Sequence, residues 1–292
     1  MAGKYRLRKP LGRGANGLIW EAEQEPIGRR VAVKLCVVAH QREPDDVKRF
    51  RRGAIAMARM AHPNIVTVHD FGEVEGPEGP ELYLVMERLE GVSLARFVQR
   101  GPMPPPRARS AIAQLLGALH QVHERGYVHR DVKPANLAVT AIDDDPFVVK
   151  LLDFGIARSV DSLLKPADVV AAERRRGSRV TQPLRILGTP EYMAPEQILD
   201  LALEPRTDLY AAAVVLWQLL VGKAPYSFDE RRETYAAHLR APIPRLESVI
   251  APGVLSELAP WQAFFERALA KTSKKRFEDA TEMRAELRAL PL

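Results

Sequence analysis

His129-Arg130-Asp131-Val132-Lys133-Pro134-Ala135-Asn136 stands near the middle of the 292-residue chain and sets the reading of everything around it. Two stretches follow it in order: Asp153-Phe154-Gly155, then Gly188-Thr189-Pro190-Glu191-Tyr192-Met193-Ala194-Pro195-Glu196. Two precede it: Gly12-Arg13-Gly14-Ala15-Asn16-Gly17-Leu18-Ile19 and Val31-Ala32-Val33-Lys34.

The first of these has the G-x-G-x-x-G spacing. Glycines let backbone N–H groups come close to phosphate, where a Cβ would intrude. Asn16-Gly17 is equally a strong hairpin signal, so the stretch reads as a turn in any case. A dinucleotide-binding turn needs a strand before the glycines and a helix after them. Here the β-prone residues Leu18, Ile19 and Trp20 follow instead, which points to a glycine-rich lid over a nucleotide. Lys34 ends an apolar strand-like run. A buried lysine is costly unless it meets an anion, and the phosphate oxygens of ATP supply one.

Around these motifs the pattern changes once. Up to about residue 90 the chain reads as strands, at 18–22, 30–38, 65–71 and 82–87, with one helix at 45–60 stopped by His62-Pro63. After Ser93 it reads as mostly helical. Helices are expected at 107–125, opened by Pro104 to Pro106 and closed by Gly126, and at 208–220, 231–240, 260–270 and 279–290. Residues 208–220 are apolar nearly all round, which predicts a buried central helix. Short strands are expected at 137–139 and 148–152. The fold class is therefore α+β and bilobal: one protein domain over 1–292, with a small β-rich lobe at about 5–87, a junction at 87–91 and a larger helical lobe at about 92–290.

Composition adds bounds. Apolar residues make up 46% and charged residues 27%, an ordinary globular balance. The net charge of +6 sits largely in local clusters such as Lys48, Arg49, Arg51, Arg52 and Arg174 to Arg176, read as solvated faces and a basic loop. Nothing resembles a nucleic-acid motif, so nucleic acid is not expected as a partner. The single Cys36 allows no internal disulfide, which fits a reducing compartment. No signal-like h-region is seen, and the longest apolar stretch, 211–221, is far below the ~20 residues that cross a bilayer. A cytoplasmic location is the expectation.

The motif set, in this order and spacing, resembles the eukaryotic-like protein kinases. Asp153-Phe154-Gly155-Ile156-Ala157-Arg158 looks most like the bacterial Hanks-type Ser/Thr branch. The resemblance runs from about Tyr5 to Leu287. It implies a domain that moves the γ-phosphoryl group of ATP, with Mg2+, onto a Ser or Thr hydroxyl of a protein. It implies that Asp131 accepts the hydroxyl proton and that Asn136 and Asp153 bind magnesium. Lys133, two after Asp131, fits the Ser/Thr branch, and Thr189 is implied to contact both. Asp208 resembles the central-helix aspartate that braces the catalytic loop, and Arg276 the late arginine that pairs with Glu196. By position, Met86 is the gatekeeper, Glu87 and Leu89 offer backbone groups to adenine, Leu11, Ile19 and Ala32 cover the ring, and Ala138 lies under it. Gly12, Gly14 and Gly17 line the phosphates. A homodimer through the small lobe is implied by analogy only.

The chain departs from the family at one telling place. The alignment of Phe50-Arg51-Arg52-Gly53-Ala54 puts Gly53 where the family has the glutamate that pairs with the strand lysine. Asp46 and Asp153 are alternative acids for Lys34. The competing reading is a nucleotide-binding pseudokinase or scaffold. Against it, Asp131, Asn136 and Asp153 are all retained. The segment from Asp153 to Glu196 is long, and Arg130 beside Asp131 goes, in the family, with control by phosphorylation. Thr181, then Ser178, are the candidate phosphosites.

Overall fold

Val31, Ala32 and Val33 sit in β3 (Arg29–Cys36), between β2 (Gly17–Gln24) and β5 (Gly79–Glu87). In this computed structural model, which describes residues 3–14, 17–36, 44–76, 79–142, 145–152 and 189–292, β1 (Tyr5–Gly14) and β4 (Val68–Gly76) close the edges of a five-stranded antiparallel sheet in the order β1-β2-β3-β5-β4. The alternation of a strand sends successive side chains to opposite faces. One face gathers Tyr5, Ala22, Val31, Val33, Tyr83 and Val85 into a small core, with Tyr5 and Tyr83 edge to face. The other face carries Ile19, Lys34 and Leu84 in one row and Glu21, Ala32 and Met86 in the next. Helix α1 (Pro44–Ala58) packs on β4 and β5, with Phe50 against Phe71.

A second sheet has three short strands: β6 (Gly91–Ser93), β7 (Leu137–Ile142) and β8 (Asp145–Leu151), in that order. The described parts of 1–96 and 134–158 form one compact unit, and those of 97–133 and 159–292 a second. The division thus groups β6, β7 and β8 with the small sheet, where the sequence reading set a boundary at 87–91. The physical link is the 64–67 segment: Leu151 N–H donates to Asn64 O (2.8 Å), Val66 N–H to Leu151 O (3.0 Å), and the Asn64 side chain to Val149 O (2.8 Å).

The second unit is helical: α3 (Pro105–Glu124), α4 (Pro195–Ile198), α5 (Pro205–Val221), α6 (Arg231–Arg240), α7 (Leu258–Ala268) and α8 (Ala280–Ala289); the short α2 (Leu94–Val98) straddles the two units. In α5 every residue from Thr207 to Trp217 is buried, as an apolar-all-round helix must be. Gly222, at φ 90°, ends it in the left-handed conformation that glycine adopts without strain. α8 starts at Asp279, whose carboxylate accepts from the Thr281 and Glu282 N–H groups. Among the described residues no helix is long and apolar enough to cross a membrane.

The strands expected at 30–38, 137–139 and 148–152 run instead over Arg29–Cys36, Leu137–Ile142 and Asp145–Leu151. The strand expected at 65–71 begins at Val68, because Ile65 pairs instead in a parallel bridge with Leu151. β1 went unread, because Arg6, Arg8, Lys9 and Pro10 interrupt its apolar pattern. It is an edge strand, where a proline and a row of cations are tolerated.

Candidate active site

The first unit places some of the expected nucleotide residues on one face of its five-stranded sheet. Register partners in an antiparallel pair share a face, so Ile19, Ala32, Lys34 and Met86 all project from the same side of the sheet. Lys34 is only 7% exposed, and it keeps an interaction although position 53 of α1 offers no carboxylate. From Val47 to Ala58 the helix has no acidic residue at all. Leu11 falls at an irregularity of the β1–β2 register and is partly exposed. A Cβ at Gly12 would meet open space, whereas one at Gly17 would lie 1.7 Å from the Leu35 carbonyl oxygen. Gly17 is therefore required by the close approach of β2 to β3, and its role as a glycine is structural first. Gly14 pairs across the hairpin with Gly17.

At the end of β5, the Glu87 N–H donates to Thr67 O (2.9 Å). Arg88 donates to Glu21 Oε2 (2.9 Å) and to the Leu89 carbonyl. In the second sheet Ala138 is buried, with Ser93 and Lys150 as register partners. Asn136 ends a one-turn 3-10 helix that Pro134 opens. It is buried, and its carbonyl accepts from Leu152 N–H (2.9 Å). The Ser93 hydroxyl donates to the Pro134 carbonyl (3.0 Å) and so ties this turn to β6.

The second unit holds residues 129–133, the first part of the motif expected to form the catalytic loop. Asp208, fully buried in α5, accepts from the His129 N–H (2.7 Å) and the Arg130 N–H (2.8 Å), and pairs with His123 Nε2 (2.8 Å). Burial pushes its carboxyl up, but the His123 hydrogen bond and the charges and backbone donor around it more than reverse this, so it titrates below its usual range. Arg130 has φ 68°, a left-handed conformation rare for a side chain of its size. Both its peptide groups are held: its N–H by Asp208, and its carbonyl by Gln197 Nε2 (2.9 Å). The next residue is Asp131. Lys133 Nζ lies 3.0 Å from Asp131 Oδ1, 2.9 Å from its Oδ2 and 3.2 Å from Thr189 Oγ1. Lys133 thus bridges the two side chains that the sequence singled out.

The segment from Thr189 is seated by further bonds. Gln197 Oε1 accepts from Ala194 N–H (3.0 Å), so one side chain links this segment to Arg130. The Tyr192 hydroxyl donates to Gln218 Oε1 (2.6 Å), and burial pushes it up to about 12. Glu196 meets Arg276 in a two-pronged pair, Nη1–Oε1 2.7 Å and Nη2–Oε2 2.8 Å, with Thr207 as a further donor (2.9 Å). Burial raises the Glu196 carboxyl, and Arg276 brings it below its ordinary value.

Asp153, Ser178 and Thr181 lie outside the described residues, as does the side chain of Asp46. Residues the sequence reading missed are Gln197, His123, Lys150 and the Glu21–Arg88 pair. Their partners are far away in sequence, and no local spacing announces them.

Residues 5–286 match the protein kinase domain family. The serine/threonine-protein kinase PknB of Mycobacterium tuberculosis is 38% identical over 289 residues, which are 98% of this chain and 43% of that protein. PknH of Mycobacterium bovis is 35% identical over 97% of this chain and 43% of its own length. The chain therefore spans less than half the length of these relatives. The crystal structure of the Mycobacterium tuberculosis PknI kinase domain superposes with a TM-score of 0.71, at 25% identity, over 98% of this chain and 95% of that one. The chain belongs to the protein kinase domain family, in its bacterial Hanks-type serine/threonine branch.

Proposed function

We propose that this domain transfers the γ-phosphoryl group of ATP to serine or threonine hydroxyls of a protein, with Asp131 as the residue that accepts the hydroxyl proton. The observation that carries the reading is the Asp131–Lys133–Thr189 constellation, set on a loop whose backbone Asp208 and Gln197 hold. Asp131 keeps its carboxylate partly exposed and oriented by a cation, as a proton acceptor for an arriving hydroxyl needs. The Lys133 ammonium, shared with Thr189, supplies positive charge beside that carboxylate.

The residues of the first unit fit a magnesium nucleotide. Lys34 offers a cation on a sheet face that Ala32 keeps low, and the Asn136 amide adds a hard oxygen of the kind Mg2+ takes. Bound magnesium would neutralise the phosphate oxygens, held by Asn136 and Asp153. Lys34 would bind phosphate, while Ile19, Ala32, Met86 and Ala138 exclude water from the base. The Glu87 N–H is already committed to Thr67, which leaves its carbonyl, with the Leu89 N–H, as the adenine edge. Leu11, Gly12, Gly14 and Gly17 would cover it. Autophosphorylation at Thr181 or Ser178, pairing of two copies through the small lobe at about 5–87, and a cytoplasmic setting belong to the same proposal.

Gly53 favours a second reading, a domain that binds nucleotide with little transfer. Incubation with γ-labelled ATP, magnesium and a generic protein substrate separates the two. Transfer that Asp131→Asn abolishes supports the enzyme. No transfer, with thermal stabilisation by magnesium ATP, supports the second reading, and Gly53→Glu is then the reversion to make.

A further inference from the structure

The adenine edge assigned above consists of backbone atoms, and backbone atoms hold their place only as well as the residues around them are fixed. A hydrogen-bonding pair displaced by about 1 Å no longer meets its ligand. Two side-chain pairs grip residues 87–89 from opposite directions. Lys150, on β8 and 5% exposed, donates to Glu87 Oε1 (2.7 Å). The same oxygen accepts from the Thr67 N–H (2.8 Å), while the Glu87 N–H returns a bond to Thr67 O. On the other side, Arg88 bonds Glu21 on β2 and turns back on the Leu89 carbonyl. Arg88 is the largest influence on the Glu21 carboxyl and draws it below its ordinary value.

Lys150 does not float in this arrangement. Its strand is bonded on both sides of it to residues 64–66, through Val149 O and both peptide groups of Leu151. Its register partner is Ala138, so the two side chains leave the same face, and the small Ala138 leaves lateral room for the lysine stem. A nearly buried ammonium carries a heavy desolvation cost, which a generic surface pair would avoid. The strand position would accept an apolar residue without that cost.

We infer that Lys150, with the Glu21–Arg88 pair, is a positioning device for adenine: it fixes the Glu87 carbonyl and the Leu89 N–H so that ATP binds without first ordering this strand end. The inference rests on the reading of residues 87–89 as the adenine edge. None of the three side chains need touch the nucleotide.

The test is a steady-state analysis of Lys150→Met, Lys150→Arg and Arg88→Ala in the full chain, varying ATP and protein substrate separately. Lys150→Met and Arg88→Ala should each raise the KM for ATP about tenfold, with kcat at saturating ATP within about twofold and the protein-substrate KM unchanged. Lys150→Arg should bring the KM for ATP back to within about threefold, since it keeps the charge. Arg88 is partly exposed, so its variant keeps the test open should Lys150→Met fold poorly. A lowered melting temperature with an unchanged KM for ATP in both variants would make these pairs purely structural and overturn the inference. Met86→Gly, assayed with an ATP analogue bulky at N6, checks the underlying reading by itself. Gain of the analogue supports adenine at residues 87–89 whatever the clamp variants do. No gain overturns that reading and the inference with it.

Discussion

Asp208→Asn isolates what the buried carboxylate of α5 does. The native side chain receives the backbone N–H groups of His129 and Arg130 on two oxygens, at 2.7 and 2.8 Å, with His123 on one of them. An asparagine has one oxygen and one NH2, so one N–H must face a donor. The loss of one charge-assisted bond is worth about 1.5–3 kcal/mol, and the orphaned buried donor adds about 1–3 kcal/mol. Arg130, at φ 68°, is then held by fewer bonds against its own strain. The expected cost is about 3–5 kcal/mol, or roughly 5–8 °C in melting temperature for a domain of this size. The same change loosens the residue beside Asp131, and a misplacement of about 1 Å can lower kcat about 100-fold. The KM for ATP should stay near wild type, because the residues proposed to hold the nucleotide belong to the other unit. Urea unfolding and initial-rate kinetics, beside Asp131→Asn, measure both effects. Asp131→Asn should lose activity and keep its melting temperature. An Asp208→Asn protein within 2 °C and about twofold of wild type would refute the bracing argument.

Other expectations follow from the same structure. Arg276→Ala leaves Glu196 charged and buried without its two-pronged partner, so it should cost about 3–5 kcal/mol in urea unfolding, and Glu196→Gln in that background should recover part of it. Burial, then the charge of Lys271, depresses His238 from 6.5 to about 4, so its neutral form stabilises the fold fully above pH 6.5 and that contribution is lost as the pH falls towards 4. The span corresponds to about 3 kcal/mol, read as the acid limb of a stability profile that His238→Gln should flatten. Gly17→Ala would drive a Cβ into the Leu35 carbonyl and should cost more than about 2 kcal/mol, with weaker ATP binding by calorimetry.

Much of this fold is legible in the sequence because its helices carry their own signals. Residues 231–240 were bounded correctly by pattern alone, and the all-apolar stretch of α5 announced burial. β1 was not legible, since an edge strand needs no continuous apolar run. At the site, the resemblance to the kinase family singles out Asp131, Lys133 and Thr189, and the structure brings them into one constellation. Gln197 and Lys150 carry no such signature. Each bonds a partner more than sixty residues away, and a lysine in a short strand looks like any solvated position until the pairing partner is known. Gly53 is the reverse case. The sequence exposes the missing carboxylate at once, while the partner that Lys34 keeps depends on the folded arrangement.

The central claim is that Asp131 serves phosphoryl transfer to protein hydroxyls. The most direct test follows label from γ-labelled ATP into protein by the wild-type chain and by Asp131→Asn, under magnesium, with both proteins shown to have equal melting temperatures. The account predicts transfer to serine and threonine by the wild type and a loss of at least about 100-fold in the variant. Equal transfer by both proteins would contradict it, as would a folded wild type and a folded Gly53→Glu variant that both bind magnesium ATP and transfer nothing.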